Sequence, residues 1–207
     1  MAKANVFWDR IARRYARSPI SNPQAYEKKL EIMQGYLGPK MQLLEFGCGT
    51  GSTALRLAPH VSQIHAIDIS ANMIAIAREK ITDGQPSNLT FEVAGIDDFV
   101  PPKAGYSAVL AMNILHLVSD RDAVIGRVHD MLAPGGVFIS STACTGGALR
   151  LLKPAFALGR WTGLLPLLRF FTEDHLVASL TRAGFKIDHR SRPGKGMAVF
   201  IVAKKAA

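Results

Sequence analysis

Three glycines at alternate positions, Gly47, Gly49 and Gly51, end the apolar run Leu43-Leu44-Glu45-Phe46 and open a stretch of helical spacing. Glycine is needed where a backbone turns tightly, takes positive φ, or must let a ligand come closer than a β-carbon allows. Seventeen residues beyond Gly51, a second apolar run, Gln63-Ile64-His65-Ala66-Ile67, ends in Asp68. A carboxylate there can accept both hydroxyls of a ribose, as it does at the switch point of doubly wound sheets. Loop and acid together predict a site for a nucleoside-bearing ligand.

Dinucleotide binding is the first alternative, but its fingerprint sets the third glycine three residues after the second, where Ser52 stands. Glu45 argues the same way. A carboxylate beside a pyrophosphate repels it, whereas a carboxylate beside a cationic amino acid or a sulfonium is favourable. Cys48 sits between glycines where a small side chain fits, which speaks against a nucleophilic role.

Other polar candidates follow the fourth apolar run, in Ala111-Met112-Asn113-Ile114-Leu115-His116. Asn113 and His116 are the candidates for catalysis, His116 as a proton acceptor near neutral pH. The competing role for His116 is packing beneath the next helix. His129 and His175 fall on helical stretches away from this edge and receive no chemistry. Neither Cys48 nor Cys144 belongs to a Cys-x-x-Cys pair or a Cys/His cluster suited to zinc, so no metal is expected.

The elements that must position these residues alternate. Strands are predicted at Gln42–Phe46, Gln63–Ile67, Leu89–Val93, Ser107–Met112 and Gly136–Ser141. Helices are predicted at Ser52–Ala58, Ala71–Lys80 and Asp120–Leu132, with Ser70 and Ser119 as N-caps. Such alternation implies a parallel sheet covered on both faces, an α/β doubly wound architecture. Residues 5–37 read as one or two helices interrupted at Ser18-Pro19 and Asn22-Pro23, forming a cap. Thr172–Ala183 reads as a helix stopped by Gly184. The chain then reads as Phe185–His189, a turn at 192–196 and Met197–Ala203, a closing antiparallel hairpin.

Leu43–Gly51, His65–Ser70, Ser107–Leu117 and Met131–Gly136 resemble, in order, the successive motifs of class I S-adenosylmethionine-dependent methyltransferases, nearest in flavour to the ubiquinone/menaquinone-biosynthesis type. The resemblance covers residues 5–142 and implies a Rossmann-like sheet of seven strands with the last antiparallel. It implies S-adenosyl-L-methionine as cofactor and S-adenosyl-L-homocysteine as product. Glu45 and the backbone of Gly47 and Gly49 would surround the methionine part, Asp68 would hold the ribose, and Ile69 would cover one adenine face. Phe46, Cys48, Gly51, Met73 and Asn113 complete the implied set. Tyr15 resembles the cap tyrosine that reaches the cofactor in related enzymes. Gly95 stands where the family often has Asp, so adenine would be read by the Ile96 backbone N–H, with Asp97 as a side-chain alternative.

The length of 207 residues suits a single domain: a cap over 1–40, a cofactor-binding core over 41–142, a lid over 143–171 and a closing helix and hairpin over 172–207. With 48% hydrophobic and 20% charged residues, a globular fold is expected, and no run approaches the roughly 18 apolar residues of a membrane span. The N-terminal residues carry no apolar signal core, and two cysteines do not make a disulfide scaffold, so the expected setting is the cytoplasm. The net charge of +9 is uneven: eight basic and three acidic residues in 1–40, six and ten in 41–145, eleven and three in 146–207. Arg150, Lys153 and Arg160 fall on one side of a helical wheel and Leu151, Leu152, Ala155 and Leu158 on the other, broken by Pro154, Gly159, Gly163 and Pro166. Jointed short helices with an apolar face and basic edges suit a small hydrophobic or amphiphilic acceptor, quinone-like or lipid-like, and peripheral contact with an anionic membrane. An RNA methyltransferase is the rival suggested by charge. Against it, Asn113-Ile114-Leu115-His116 lacks the Asn-Pro-Pro-aromatic signature and no aromatic-basic RNA motif occurs. A non-catalytic cofactor-binding protein is the rival from another class.

Overall fold

Apolar runs bounded by turn residues become strands, and the helical stretches between them carry the chain back to begin the next parallel strand. The structure is a computed structural model that describes residues 4–145, 165–192, 194 and 198–207. Strands β1 (Gln42–Phe46), β2 (Gln63–Asp68), β3 (Leu89–Val93), β4 (Tyr106–Met112), β5 (Leu132–Thr142), β6 (Phe185–Ser191) and β7 (Val199–Lys205) form one sheet in the order β3-β2-β1-β4-β5-β7-β6. Strands β1 to β5 pair in parallel, and β7 runs antiparallel to both β5 and β6. This is the expected Rossmann-like sheet with an antiparallel last strand. Helices α1 (Ala4–Arg17) and α2 (Pro23–Tyr36) precede the sheet, and α3 (Ser52–Leu57), α4 (Ala71–Glu79), α5 (Arg121–Met131) and α6 (Glu173–Arg182) follow in turn.

Side-chain alternation along the strands builds two cores. On one face Leu44, Phe46, Val109, Phe138 and Ile201 pack with Val124, Ile125 and Val128 of α5 and Leu176 and Leu180 of α6. On the other, Leu43, Leu110, Ile139 and Phe200 pack with Leu30 and Met33 of α2, Ala54 and Leu57 of α3, and Ile74 of α4. Both faces of β1, β4 and β5 are therefore buried and largely apolar, as buried parallel strands require.

The helix starts are chosen by side-chain oxygens that accept otherwise unpaired N–H groups. Asn22 accepts from Ala25 N with Pro23 at the first helical position, Ser70 from Met73 N, and Thr172 from His175 N. One expected cap is corrected. Asp120, not Ser119, caps α5, its Oδ1 accepting from Ala123 N at 3.0 Å. Strand β5 is also longer than predicted, because Leu132 pairs with Tyr106 across a bulge before the run at Val137 begins. Gly184 ends α6 at φ 94°, a left-handed position that favours glycine.

From β1 the chain steps to β2 on one side and later to β4 on the other. The order thus reverses between β1 and β4, leaving a crevice at their carboxyl ends. Helix α1 is pinned beside that crevice. Asp9 Oδ1 accepts from Ser70 Oγ at 2.6 Å and from Asn72 N at 3.0 Å, while Asn72 Nδ2 donates to the Asp9 carbonyl at 3.0 Å. A carboxylate at the N-terminus of α4 is favoured by the helix dipole.

Candidate cofactor and acceptor cleft

A cleft of about 470 Å³ opens at the switch point, a size suited to a small-molecule ligand. Its floor is the glycine loop. Gly47 and Gly49 take φ of 65° and 54°, and a β-carbon on Gly47 would stand 2.6 Å from Ile114 Cγ1. The nearest atom to a β-carbon on Gly49 would be Tyr15 Cε1 at 3.9 Å, so the space between loop and cap helix is open only because residue 49 lacks a side chain.

Asp68 ties that loop to the second strand. Its Oδ2 accepts from Gly49 N and its Oδ1 from Ser70 N, each at 2.9 Å. Burial raises its pKa above the usual carboxylate value, and the two N–H donors oppose the rise. With two donors on its inner lone pairs and its edge on the cleft, the carboxylate retains acceptor capacity for hydroxyls.

Tyr15, Phe46, Gly47, Gly49, Asp68, Ile69, Met73, Gly95, Ile96, Asp97 and Asn113 all line the cleft. The structure thus brings together most of the residues singled out by sequence. Burial raises the Tyr15 phenol pKa above its ordinary value, and the ring meets Trp8 edge-on at 6.3 Å between centroids.

Four expected site residues stand outside the lining. Strand alternation turns Glu45 to the face of Leu43, under α3, where its carboxylate accepts the Ala54 N–H and Oε2 has no partner. Burial pushes its pKa up to about 8, so it is largely neutral at pH 7 and supports the loop from behind. Gly51 starts α3 at φ 74°, and a β-carbon there would fall 2.4 Å from Phe91 Cζ; it is needed for packing α3 on the sheet. The Cys48 thiol is buried, with its pKa raised by desolvation, and its N–H donates to the Ile67 carbonyl. His116, expected at the cleft edge, is not among the residues that line the cleft. Its carbonyl accepts from Arg169 N at 2.8 Å, its Nδ1 is buried without a partner, and burial lowers its pKa.

Several lining residues were missed. Asn5 and Trp8 reach the cleft from α1, on the same face as Tyr15; the spacing of 5, 8 and 15 on one helix was the available signal. After β4, the run Ile114, Leu117, Val118 and Ser119 forms one wall, and Leu165, Pro166 and Leu167 add to it. The last three belong to the expected lid. The remainder of that segment, including Arg150, Lys153 and Arg160, lies outside the described residues, as does most of the 192–196 turn. Among the described residues, no helix is long and apolar enough to cross a membrane, and no three His, Cys, Asp or Glu side chains gather as metal ligands.

The cleft brings together a side-chain-free loop, a carboxylate that can accept ribose hydroxyls and the apolar Ile69 and Ile96, groups that could hold S-adenosylmethionine. Comparisons with known proteins agree. Ubiquinone biosynthesis O-methyltransferase of Xanthomonas axonopodis pv. citri (strain 306) is 29% identical over 163 residues, covering 76% of this chain and 62% of that protein. The chain spans less than two thirds of the length of the curated relatives it matches. An S-adenosylmethionine-dependent methyltransferase from Mesorhizobium loti superimposes with a TM-score of 0.68 at 23% identity, over 86% of this chain and 96% of that one. The [4+2]-cyclase SpnF superimposes with a TM-score of 0.73 at 21% identity, over 92% and 85% of the two chains. These likenesses show a shared fold. Residues 43–136, which carry the glycine loop, Asp68 and Asn113, match the methyltransferase-domain family.

Proposed function

We propose that this protein transfers a methyl group from S-adenosylmethionine to a small hydrophobic or amphiphilic acceptor. The observation that carries the reading is the division of one continuous cleft. Asp68 and the glycine loop form its polar side, while Met112, Ile114, Leu117, Val118, Leu165 and Leu167 supply an apolar side. When bound, the cofactor supplies an electrophilic methyl on a sulfonium.

The chain's own contribution is binding, alignment and exclusion of water, which can provide much of the acceleration of an in-line displacement. Asp68 would take the ribose hydroxyls, and the backbone of Gly47 and Gly49 would face the amino-acid end. Ile69 and Ile96 would hold the base, with Asp97 exposed at its rim. The apolar wall selects an acceptor that gains by leaving water, at roughly 25 cal/mol for each Å² buried. Asn113, between Met112 and Ile114 in the chain, is a polar residue of the same lining. His116 is not assigned the proton of the acceptor, because it does not line the cleft.

Because a [4+2]-cyclase shares the fold, the reaction must rest on the site and not on the architecture. Cofactor binding without methyl transfer is accordingly the competing reading. Purified protein incubated with methyl-labelled S-adenosylmethionine and fractionated lysate decides between them. Label in the lipid or apolar small-molecule fraction supports the proposal. Label in RNA redirects it to a nucleic-acid acceptor, and tight binding with no label in any fraction overturns it.

A further inference from the structure

Asn113 holds a left-handed backbone, φ 59°, at the carboxyl end of β4, a conformation that Asn takes more readily than other residues with a β-carbon and that surrounding bonds here help to hold. Part of that constraint is visible: the Asn113 N–H donates to the Ser141 carbonyl at 2.7 Å. The Ser141 hydroxyl, on β5, lies 3.5 Å from Asn113 Oδ1. Behind it, Lys29 of α2 donates from Nζ to Ser141 Oγ at 2.8 Å.

Donor and acceptor counting gives this chain a direction. An ammonium only donates, so the Ser141 hydroxyl receives from Lys29 and keeps its single hydrogen available for another acceptor. The oxygen within reach is Asn113 Oδ1. Ser141 is 0% exposed, so bulk water does not compete for that hydrogen. The Asn113 carboxamide is therefore held with its oxygen inward and its two N–H donors free for the cleft it lines. Lys29 does not line the cleft; it is half-buried, with Nζ 6.0 Å from the centre of the Phe200 ring.

We propose that Lys29 and Ser141 are positioning residues that fix the orientation of the Asn113 carboxamide, so that the cleft presents N–H donors to a carboxylate or carbonyl oxygen of its ligand. The inference deepens the reading of this cleft as a cofactor and acceptor site and rests on it. The oxygen has two sources, the carboxylate of the methyl donor or an oxygen of the acceptor.

The test is read by nuclear magnetic resonance of the side-chain amide pair of Asn113 in nitrogen-15-labelled protein, assigned by its loss in Asn113→Ala. In Lys29→Met and in Ser141→Ala the pair should shift by more than a linewidth, and in Lys29→Arg, which keeps a donor, it should remain near its wild-type position. Affinity for S-adenosylhomocysteine should fall less than tenfold in Lys29→Met if only orientation is lost. Adding S-adenosylhomocysteine but not 5′-methylthioadenosine, which lacks the amino-acid carboxylate, should move the pair if the oxygen is the donor's; silence to both assigns it to the acceptor. An amide pair unmoved in both Lys29→Met and Ser141→Ala overturns the relay. The readout needs no turnover, so absence of methyl transfer by the wild-type protein bears on the proposed function alone.

Discussion

Replacing Glu45 by Gln should remove a pH dependence from the stability of the fold. The native carboxyl is 1% exposed and its pKa is raised from 4.5 to about 8 by burial. Between those two values the native chain keeps a proton that the unfolded chain has released, so stability falls as pH rises. The stabilisation is fully present below the unfolded value and is lost as pH passes through about 8. At about 1.4 kcal/mol per pH unit, the interval from 4.5 to about 8 sets a ceiling of about 5 kcal/mol on the change. In Glu45→Gln the amide oxygen can keep the Ala54 N–H, and the amide nitrogen replaces the unpartnered Oε2. That exchange has a cost or gain of about 1–3 kcal/mol, but one independent of pH. The assay is urea unfolding followed by circular dichroism at pH 5, 6, 7, 8 and 9 for both proteins. The difference in unfolding free energy, variant minus wild type, should grow by a few kcal/mol from pH 5 to pH 8 and then level. Asp68, also raised by burial, contributes a slope common to both proteins that cancels in the difference. A difference that stays flat from pH 5 to pH 9 would refute the assignment of Glu45 as a buried, largely neutral support for the glycine loop.

Asp68→Ala should weaken S-adenosylmethionine binding at least tenfold, about 1.4 kcal/mol, because ribose acceptors are lost and the Gly49 and Ser70 N–H groups are orphaned; an unchanged Kd by titration calorimetry would count against it. Gly51→Ala should destabilise the protein by about 2–4 kcal/mol through overpacking and strain at φ 74°. Pairing it with Phe91→Leu should restore part of the urea midpoint, since the clash is with the Phe91 ring. His116→Gln should leave the pH profile of methyl transfer unshifted, because His116 does not line the cleft; a displaced acid limb would return it to the reaction.

The strands and their order of appearance were legible because apolar period and turn residues are local properties. The N-caps illustrate the limit of that legibility. Ser70 was read correctly, whereas Ser119 and Asp120 are adjacent candidates of equal chemistry, and only the path of the preceding loop selects Asp120. Glu45 could have been placed by the same strand alternation that separates Leu43 from Leu44. Its membership in the glycine-loop motif instead drew it toward the ligand.

The sequence alone determined one side of the cleft: a glycine loop whose backbone needs no partner to take positive φ, and Asp68 at the end of the next strand. Both depend on bonds between neighbours in a local β-loop-α-β unit. Only the tertiary structure decided the rest of the cleft. Asn5 and Trp8 join it because Asp9 docks α1 on the start of α4, across 61 residues to Ser70. Asn113 lines the cleft and His116, three residues later, does not, in a loop after β4 that bonds to the backbone of Ser141 at one end and of Arg169 at the other. Such long-range bonds carry no sequence period, so no local pattern announces them.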